Sequence, residues 1–366
     1  MTSTQIFSNA FCSFRDAFHF CYYLVSSLIS HVLCPWPLVP GASKSHCHAQ
    51  LYTEGEDGYD IDKYLASLVD AKFSGLGNRA RIACWDLSPP ISLLPYEGIV
   101  TKAPLRGVVD RESIRQGKEC SGIFVIESYF ELPNGQTFIM KGTAFAVSPF
   151  HALTSAHLVW HRKLGPAKWV VLVPDERQRR YIDRVKTCVA IACHANLITS
   201  PDEQARKADN DIAMLALAEP FDSGLRFLKC HQKPGPSFDE DGLVIGFPKD
   251  MPDYSAGKRL IWSRGWVSCE RRNGVMSIEH KVNTVEGNSG SPVIVNDRVV
   301  GVHSMHLVDK RRNAAAPINR NGNNVDGFRG ILRYIRGQHP KLPEGIQSLG
   351  KAKGDTHPGR ELRLFT

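Results

Sequence analysis

The sequence lacks the paired Cys and His spacing that a zinc site needs. Cys188 and Cys193 have no second pair at a matching distance, and His46, Cys47 and His48 lie too close together. We therefore expect no metal and no other cofactor. The formal net charge is +8, but the short basic runs carry no interleaved aromatic residues. This pattern is typical of solvated loops, so no nucleic-acid binding is expected.

A long charge-free stretch is present only near the N-terminus. Residues 17–43 carry no formal charge and contain the apolar run Phe18–Leu33, which resembles a signal-peptide core or a membrane anchor. The positive charge of Arg15 is cancelled by the negative charge of Asp16, however, and His and Ser residues interrupt the apolar run. We expect residues 1–43 to be a leader of a secreted protein. Retention as a membrane anchor, and an intracellular protein whose leader is buried or misassigned, remain alternatives.

The rest of the chain divides into segments of different amino-acid composition. Residues 44–106 mix Gly, Pro and charge around one helix-like run, 61–71, and are expected to be a propeptide or linker. Residues 107–337 are expected to form the main folded domain, and residues 338–366 a flexible tail. Short runs rich in β-branched and aromatic residues predict an all-β barrel or sandwich closed by a helix over 327–336. The runs are 122–130, 137–147, 169–173, 212–217, 243–247, 277–282, 292–295 and 299–303.

Three stretches carry candidate chemistry. They are Leu153-Thr-Ser-Ala-His157, then Asn210-Asp211, then Gly287-Asn-Ser289-Gly-Ser-Pro292. Acyl transfer by a serine needs a base that takes the hydroxyl proton and an acid that orients this base. His157, Asp211 and Ser289 supply these groups. Glycine at 287 and 290 permits a tight turn that aims the N–H groups of Gly287 and Ser289 at one point, an oxyanion hole.

These residues resemble the trypsin-like peptidases, whose catalytic residues follow in the order His, Asp, Ser, and the resemblance covers residues 105–336. Gly-Asn-Ser-Gly-Ser-Pro is closest to the glutamyl endopeptidase branch, as are Asp110-Arg111, Val244–Pro248 and Gly301–His303. The resemblance implies two six-stranded antiparallel β-barrels of the chymotrypsin type with a C-terminal helix. It also implies a monomeric serine endopeptidase that acts on proteins or peptides through an acyl-enzyme.

The resemblance also implies a substrate preference. Thr284, five residues before Ser289, and His303 stand where the glutamyl branch binds an acidic side chain, and no Asp stands at 283 or 284. A hydroxyl and an imidazole can both donate hydrogen bonds to a carboxylate. We therefore expect cleavage after Glu or Asp. The alternative is that His303 is a structural histidine and Thr284 an ordinary strand-forming residue.

Activation by processing is a further expectation from the resemblance. In the glutamyl branch the mature chain starts shortly before the Asp-Arg pair, which corresponds here to residues 104–107. Cleavage after Arg106 would make Gly107 the new N-terminus of a former zymogen, with Lys102 as a second site. An unprocessed enzyme is the alternative.

Two other functions compete with this interpretation. A protease of the heat-shock type would carry a peptide-binding domain after the barrels, and the residues that follow the closing helix are too few for one. The other alternative is a catalytically inactive barrel that serves as a binding module. Three intact catalytic groups argue against it.

Overall fold

The computed structural model describes residues 81–87, 121–174, 185–199, 208–232, 237–249, 260–272, 274–307, 310–354 and 361–366, together with Tyr64, Leu65, Ser67, Leu68, Phe73 and Ser74. The leader, the expected processing site at Arg106 and most of the helix-like run 61–71 lie outside these residues. Among the described residues, no helix is long and apolar enough to cross a membrane.

Strands dominate the described part of the chain. The first group is β1 (Phe73–Ser74), β2 (Ile82–Asp86), β3 (Ile123–Glu131), β4 (Thr137–Ser148), β5 (His151–Thr154), β6 (Trp160–His161), β7 (Gly165–Pro166), β8 (Trp169–Pro174), β9 (Lys186–His194) and β10 (Ala213–Leu217). The second is β11 (Phe238–Gly246), β12 (Ile261–Arg272), β13 (Val275–His280), β14 (Pro292–Val295), β15 (Arg298–Leu307) and β16 (Arg312–Pro317), followed by β17 (Ser348–Gly354) and β18 (Glu361–Phe365). The helices are α1 (Asn196–Thr199) and α2 (Val325–Ile335), with 3₁₀ turns at Ala156–Leu158 and Ala208–Asn210.

Six strands close the first barrel. They run in the order β9, β10, β5, β4, β3 and β8, and β8 pairs back with the start of β9. The pairs are antiparallel, as in the register Ala213↔Thr154. The barrel interior is filled by alternating apolar residues such as Phe124, Ile126 and Leu172.

The second barrel closes in the order β11, β12, β13, β16, β15 and β14. Its interior holds Val267, Ile278 and Val293. The predicted pair of six-stranded antiparallel barrels with a C-terminal helix is therefore confirmed.

A third apolar cluster lies between the outer faces of the barrels and α2. It contains Met214 from the first barrel, Val302 from the second, and Phe328 and Leu332 from the helix. The helix begins at Asn324, whose side chain accepts from the Gly327 N–H, and its buried stripe has the expected helical spacing. The predicted closing helix is present, shifted by one or two residues.

The segment expected to be a flexible tail contains two paired strands instead. β18 pairs with β17 on one side and with β2 on the other, in the register Leu364↔Ala83, and β2 continues onto β9. Leu362 and Leu364 are buried in the core of the first barrel. Part of the segment expected to be a propeptide or linker, β2, is likewise buried on both faces. Both termini of the described chain thus extend the sheet of the first barrel.

This pairing makes a stability prediction. Leu364→Ala should lower the free energy of unfolding by about 2–5 kcal/mol, because it leaves a cavity in the core. Leu349→Ala, on the neighbouring strand but 40% exposed, is the matched control and should cost about 0.5 kcal/mol or less. Urea unfolding of both variants measures the difference. Equal stabilities would show that β18 is not part of the core.

Candidate functional site

His157 and Asp211 meet where β5 and β10 lie side by side. His157 sits in the 3₁₀ turn that follows β5, and Asp211 comes shortly before β10. The backbone N–H of His157 donates to Asp211 Oδ1 at 2.8 Å, and His157 Nδ1 lies 2.6 Å from Asp211 Oδ2. The carboxylate therefore holds both the main chain and the ring of His157, which leaves Nε2 directed away from it.

The two groups shift each other's pKa. Burial alone would lower the pKa of His157, but the Asp211 carboxylate outweighs burial and raises it. Burial alone would raise the pKa of Asp211, but the charge and hydrogen bonds of His157, together with the Ser304 hydroxyl, lower it. Asp211 is only 2% exposed, whereas the His157 side chain is 35% exposed. A buried, ionised carboxylate thus supports a partly accessible imidazole.

Ser304 joins this pair to the predicted nucleophile. Its hydroxyl donates to Asp211 Oδ2 at 2.5 Å, and its carbonyl accepts from the Ser289 hydroxyl at 3.3 Å. The register of β15 and β16 shifts between His303 and Met305, so Ser304 sits at a β-bulge that re-aims its side chain. Sequence reasoning missed this residue. The only signal was its place directly after His303, because a bulge leaves no mark in the residue pattern.

The loop that carries Ser289 is held by the first barrel through Thr143 of β4. The Thr143 N–H donates to the Ser289 carbonyl at 2.8 Å, and its hydroxyl donates to the Gly287 carbonyl at 2.9 Å. Gly287 and Gly290 have φ of 92° and 88°, in the region that favours glycine. A Cβ at position 290 would also collide with the Thr143 carbonyl. Glycine is therefore required at both predicted positions of this turn.

The N–H groups of Gly287 and Ser289 are available to a ligand. Among the backbone hydrogen bonds of the described residues, neither group is a donor, whereas Asn288 N–H donates to Val285 and Gly290 N–H donates to His303. Free N–H groups in a turn of this kind can stabilise a developing negative charge on oxygen.

The structure describes both residues predicted to select the substrate. The carbonyl and N–H of His303 bond to Gly290 and Ser291, which places His303 directly behind the nucleophile loop. Thr284 is half-buried on the same loop, before Ser289. The structure therefore brings His303 against the nucleophile loop and leaves Thr284 half-accessible.

His303 has a buried partner that sequence reasoning did not find. His303 Nδ1 lies 3.1 Å from His280 Nε2, and the two rings meet edge to face. Burial lowers the pKa of His280 to about 4. Burial, helped by His280 and His157, holds the pKa of His303 well below its usual range. Both imidazoles are thus neutral at pH 7. In the described residues no cluster of His, Cys, Asp or Glu is arranged to hold a metal ion.

The chain is similar to one protein family and to several solved structures. Residues 142–302 match the family model of the trypsin-like peptidase domain. The fold is similar to a solved Glu endopeptidase in complex with MPD, which is 17% identical, covers 58% of this chain and 90% of its own, and has a TM-score of 0.44. It is also similar to the active form of the Rv3671c protease from M. tuberculosis, with 18% identity, 64% and 94% coverage, and a TM-score of 0.40. No curated protein matched the chain.

The coupling of the imidazole and the carboxylate can be tested directly. Asp211→Asn should lower the pKa of His157, because burial then acts without an opposing negative charge. An NMR titration of the His157 ring measures this shift. Asp222→Asn, which removes a carboxylate paired with Lys186 elsewhere on the first barrel, should leave the titration unchanged. A His157 pKa that is the same in Asp211→Asn as in the wild type would contradict the assignment.

Proposed function

We propose that this chain, whose residues 142–302 match the family model of the trypsin-like peptidase domain, is an active serine endopeptidase with His157, Asp211 and Ser289 as its catalytic triad. The observation that carries the proposal is the buried Asp211 carboxylate, which accepts from His157 while Ser304 connects it to Ser289. Three separate stretches of chain meet there. Such a convergence is the arrangement that acyl transfer needs.

The geometry supports a specific sequence of proton transfers. The Ser289 oxygen attacks the carbonyl carbon of the scissile bond, and neutral His157 takes the hydroxyl proton through Nε2. Asp211 stabilises the imidazolium, and the N–H groups of Gly287 and Ser289 stabilise the oxyanion. His157 then gives its proton to the leaving amine, which produces an acyl-enzyme. Water, deprotonated by His157, attacks the ester, and the imidazolium returns this proton to the Ser289 oxygen as the acid is released.

In this structure the Ser289 hydroxyl points to the Ser304 carbonyl. The proposed mechanism requires this hydroxyl to turn toward His157, and catalytic hydrogen bonds of this kind commonly tighten only when substrate is bound. Because His157 must be neutral to act as a base, and Asp211 raises its pKa, activity is expected to fall as the pH drops through that raised value.

The reaction class is tested with a fluorophosphonate probe, which labels an activated serine. Ser289→Ala should abolish labelling and lower peptide hydrolysis on the order of 10⁴-fold or more, since it removes the attacking oxygen and keeps the turn. Ser291→Ala is the matched control. Ser291 lies in the same motif, is fully buried, and its hydroxyl has no hydrogen-bond partner.

Labelling should persist in Ser291→Ala at the wild-type rate. Wild-type protein that folds but does not react with the probe would support the inactive binding module. Labelling that survives Ser289→Ala would assign the nucleophile to another residue.

We further propose that the enzyme cleaves after acidic residues, Glu above all. The supporting feature is the pair of buried, neutral imidazoles, His303 and His280, beside the nucleophile loop. A carboxylate brought next to His303 would favour the protonated ring, because an opposite charge at short distance stabilises the imidazolium. His280 Nε2 then accepts a hydrogen bond from His303 Nδ1. The Nε2–H of His303 remains a charge-assisted donor to the substrate carboxylate. The half-buried Thr284 hydroxyl is a second donor.

This proposal predicts that acidic substrates bind with uptake of a proton. Their KM should rise with pH between the pKa of His303 in the free enzyme and its higher value in the complex, while the KM of neutral substrates stays level. His303→Ala and Thr284→Val should each reduce the preference for Glu about ten-fold or more, because a buried charge loses a donor.

Cleavage profiles of a peptide library, with Thr284→Ser as the conservative control, measure this preference. Thr284→Ser keeps the hydroxyl and should keep most of the preference. A profile dominated by Arg, Lys or large apolar residues would overturn the acidic specificity and leave the reaction class standing.

A further inference from the structure

The loop between β16 and α2, residues 318–324, is rich in asparagine and is called the asparagine loop below. It reads Ile-Asn-Arg-Asn-Gly-Asn-Asn. Asn319, Asn321 and Gly322 have φ of 55°, 53° and 85°, in the left-handed region that favours glycine. Residues other than glycine stay in this region only where surrounding contacts hold them there. The partners of the loop are therefore the key to what it does.

Both barrels hold the asparagine loop. Asn321 pairs with the backbone of Met276 in β13 of the second barrel, because its Nδ2 donates to the Met276 carbonyl at 2.6 Å and its Oδ1 accepts from the Met276 N–H at 3.0 Å. On the side of the first barrel, Gly322 packs against the buried His194 of β9. A Cβ at position 322 would lie 2.6 Å from His194 Nε2. The loop is thus fixed on two sides.

The same loop holds the 3₁₀ turn that comes directly before Asp211. Asn323 is fully buried, and its Nδ2 donates to the Asp209 carbonyl at 2.6 Å and to the Pro317 carbonyl at 2.9 Å. The Asp209 carboxylate in turn accepts from the Ser277 hydroxyl of β13 at 2.7 Å. Both the backbone and the side chain of Asp209 are therefore held by the second barrel and the loop that follows it.

Asn210, the residue just before Asp211, makes the reciprocal contact. Its Nδ2 donates to the Asn321 carbonyl at 3.0 Å and to Asn323 Oδ1 at 3.3 Å. The amide of Asn323 thus donates and accepts at once, which a hydroxyl or a carboxylate of the same reach cannot do with two carbonyls and one amide as partners. By contrast, the bond that closes the turn itself, from the Asp211 N–H to the Ala208 carbonyl, is 3.2 Å long, at the weak end of the usual range.

We propose that Asn323 and Asn210 are positioning residues of the catalytic site, which act through this turn to fix the place of the Asp211 carboxylate beside His157. The inference rests on the proposed protease function. Asp211 Oδ2 lies 2.6 Å from His157 Nδ1, and a hydrogen bond weakens steeply when its geometry is disturbed. Because the closing bond of the turn is long, the two asparagines supply the constraint that the turn lacks. Neither of them touches the substrate or the reacting atoms.

Loss of either asparagine should weaken the bond between Asp211 and His157 while keeping both groups. Asn323→Ala and Asn210→Ala should each lower kcat about ten-fold or more, because a displaced carboxylate stabilises the imidazolium less well. KM should stay within about two-fold, since no substrate contact is removed. The pKa of His157 should fall, because the carboxylate that raises it is held less closely. The acidic limb of the kcat/KM profile then moves to lower pH, which a merely structural role does not predict.

The test uses the full chain and measures kcat and KM per folded molecule across pH, together with an NMR titration of the His157 ring. Asn319→Gly is the matched control. Asn319 lies in the same loop, but its side chain bonds to the His231 carbonyl and the Val325 N–H, and glycine accepts its positive φ. This variant should lower the melting temperature and keep the wild-type kcat and His157 pKa. If Asn323→Ala does not fold, the half-buried Asn210 decides the outcome.

The proposal is wrong if the folded Asn210→Ala variant keeps both the kcat and the His157 pKa of the wild type. It is equally wrong if Asn319→Gly changes them as much as Asn210→Ala does. Failure of the protease function itself has a different signature, which is wild-type protein that folds but does not react with the fluorophosphonate probe. The His157 titration needs no activity, so it would still show whether the asparagines position Asp211.

Discussion

The site depends on one buried carboxylate. Asp211 is almost completely shielded from water, and an ionised group in such a place is tolerated only when hydrogen bonds replace its hydration. His157 supplies two of these bonds from the first barrel, and Ser304 supplies another from the second. Neither barrel alone can satisfy Asp211. The requirement therefore joins the two barrels at the point where the chemistry is proposed to occur.

Thr143 makes the complementary connection. It belongs to the first barrel, yet its N–H and hydroxyl hold the loop of Gly287 and Ser289 that the second barrel carries. The same hydroxyl accepts from the Phe247 N–H at 3.1 Å, and the Thr143 carbonyl accepts from the Thr154 hydroxyl at 2.8 Å. The backbone and side-chain hydrogen-bonding groups of this one buried residue are thus all paired. The nucleophile loop is positioned by a rigid strand, which is how a site keeps its geometry without substrate.

The sequence predicted the elements whose signals are local. Thr137–Ser148 is a strand in which β-branched and aromatic residues recur from end to end, and the glycines beside Ser289 mark their turn directly. Ile82–Asp86 was missed because it is buried on both faces and shows no alternation. β18 was missed because Leu362 and Leu364 alternate with the charged Glu361 and Arg363 in a short segment. Their pairing joins distant ends of the chain, which no local pattern records.

Histidines show most clearly why the site's chemistry could not be predicted from residue type. Beside Asp211, the ring of His157 has a raised pKa despite burial. Burial, with the neighbouring His280 adding to it, strongly lowers the pKa of His303, and burial together with three arginines lowers the pKa of His151. The three side chains are chemically identical and burial lowers the pKa of each, so it is the direct carboxylate partner that reverses the sign of the shift at His157. An imidazole with a raised pKa requires the carboxylate as its direct partner, whereas the rings that stay neutral have another imidazole or guanidinium groups beside them. The fold provides both environments a few residues apart, because Ser304 turns toward Asp211 while His303 turns into the second barrel.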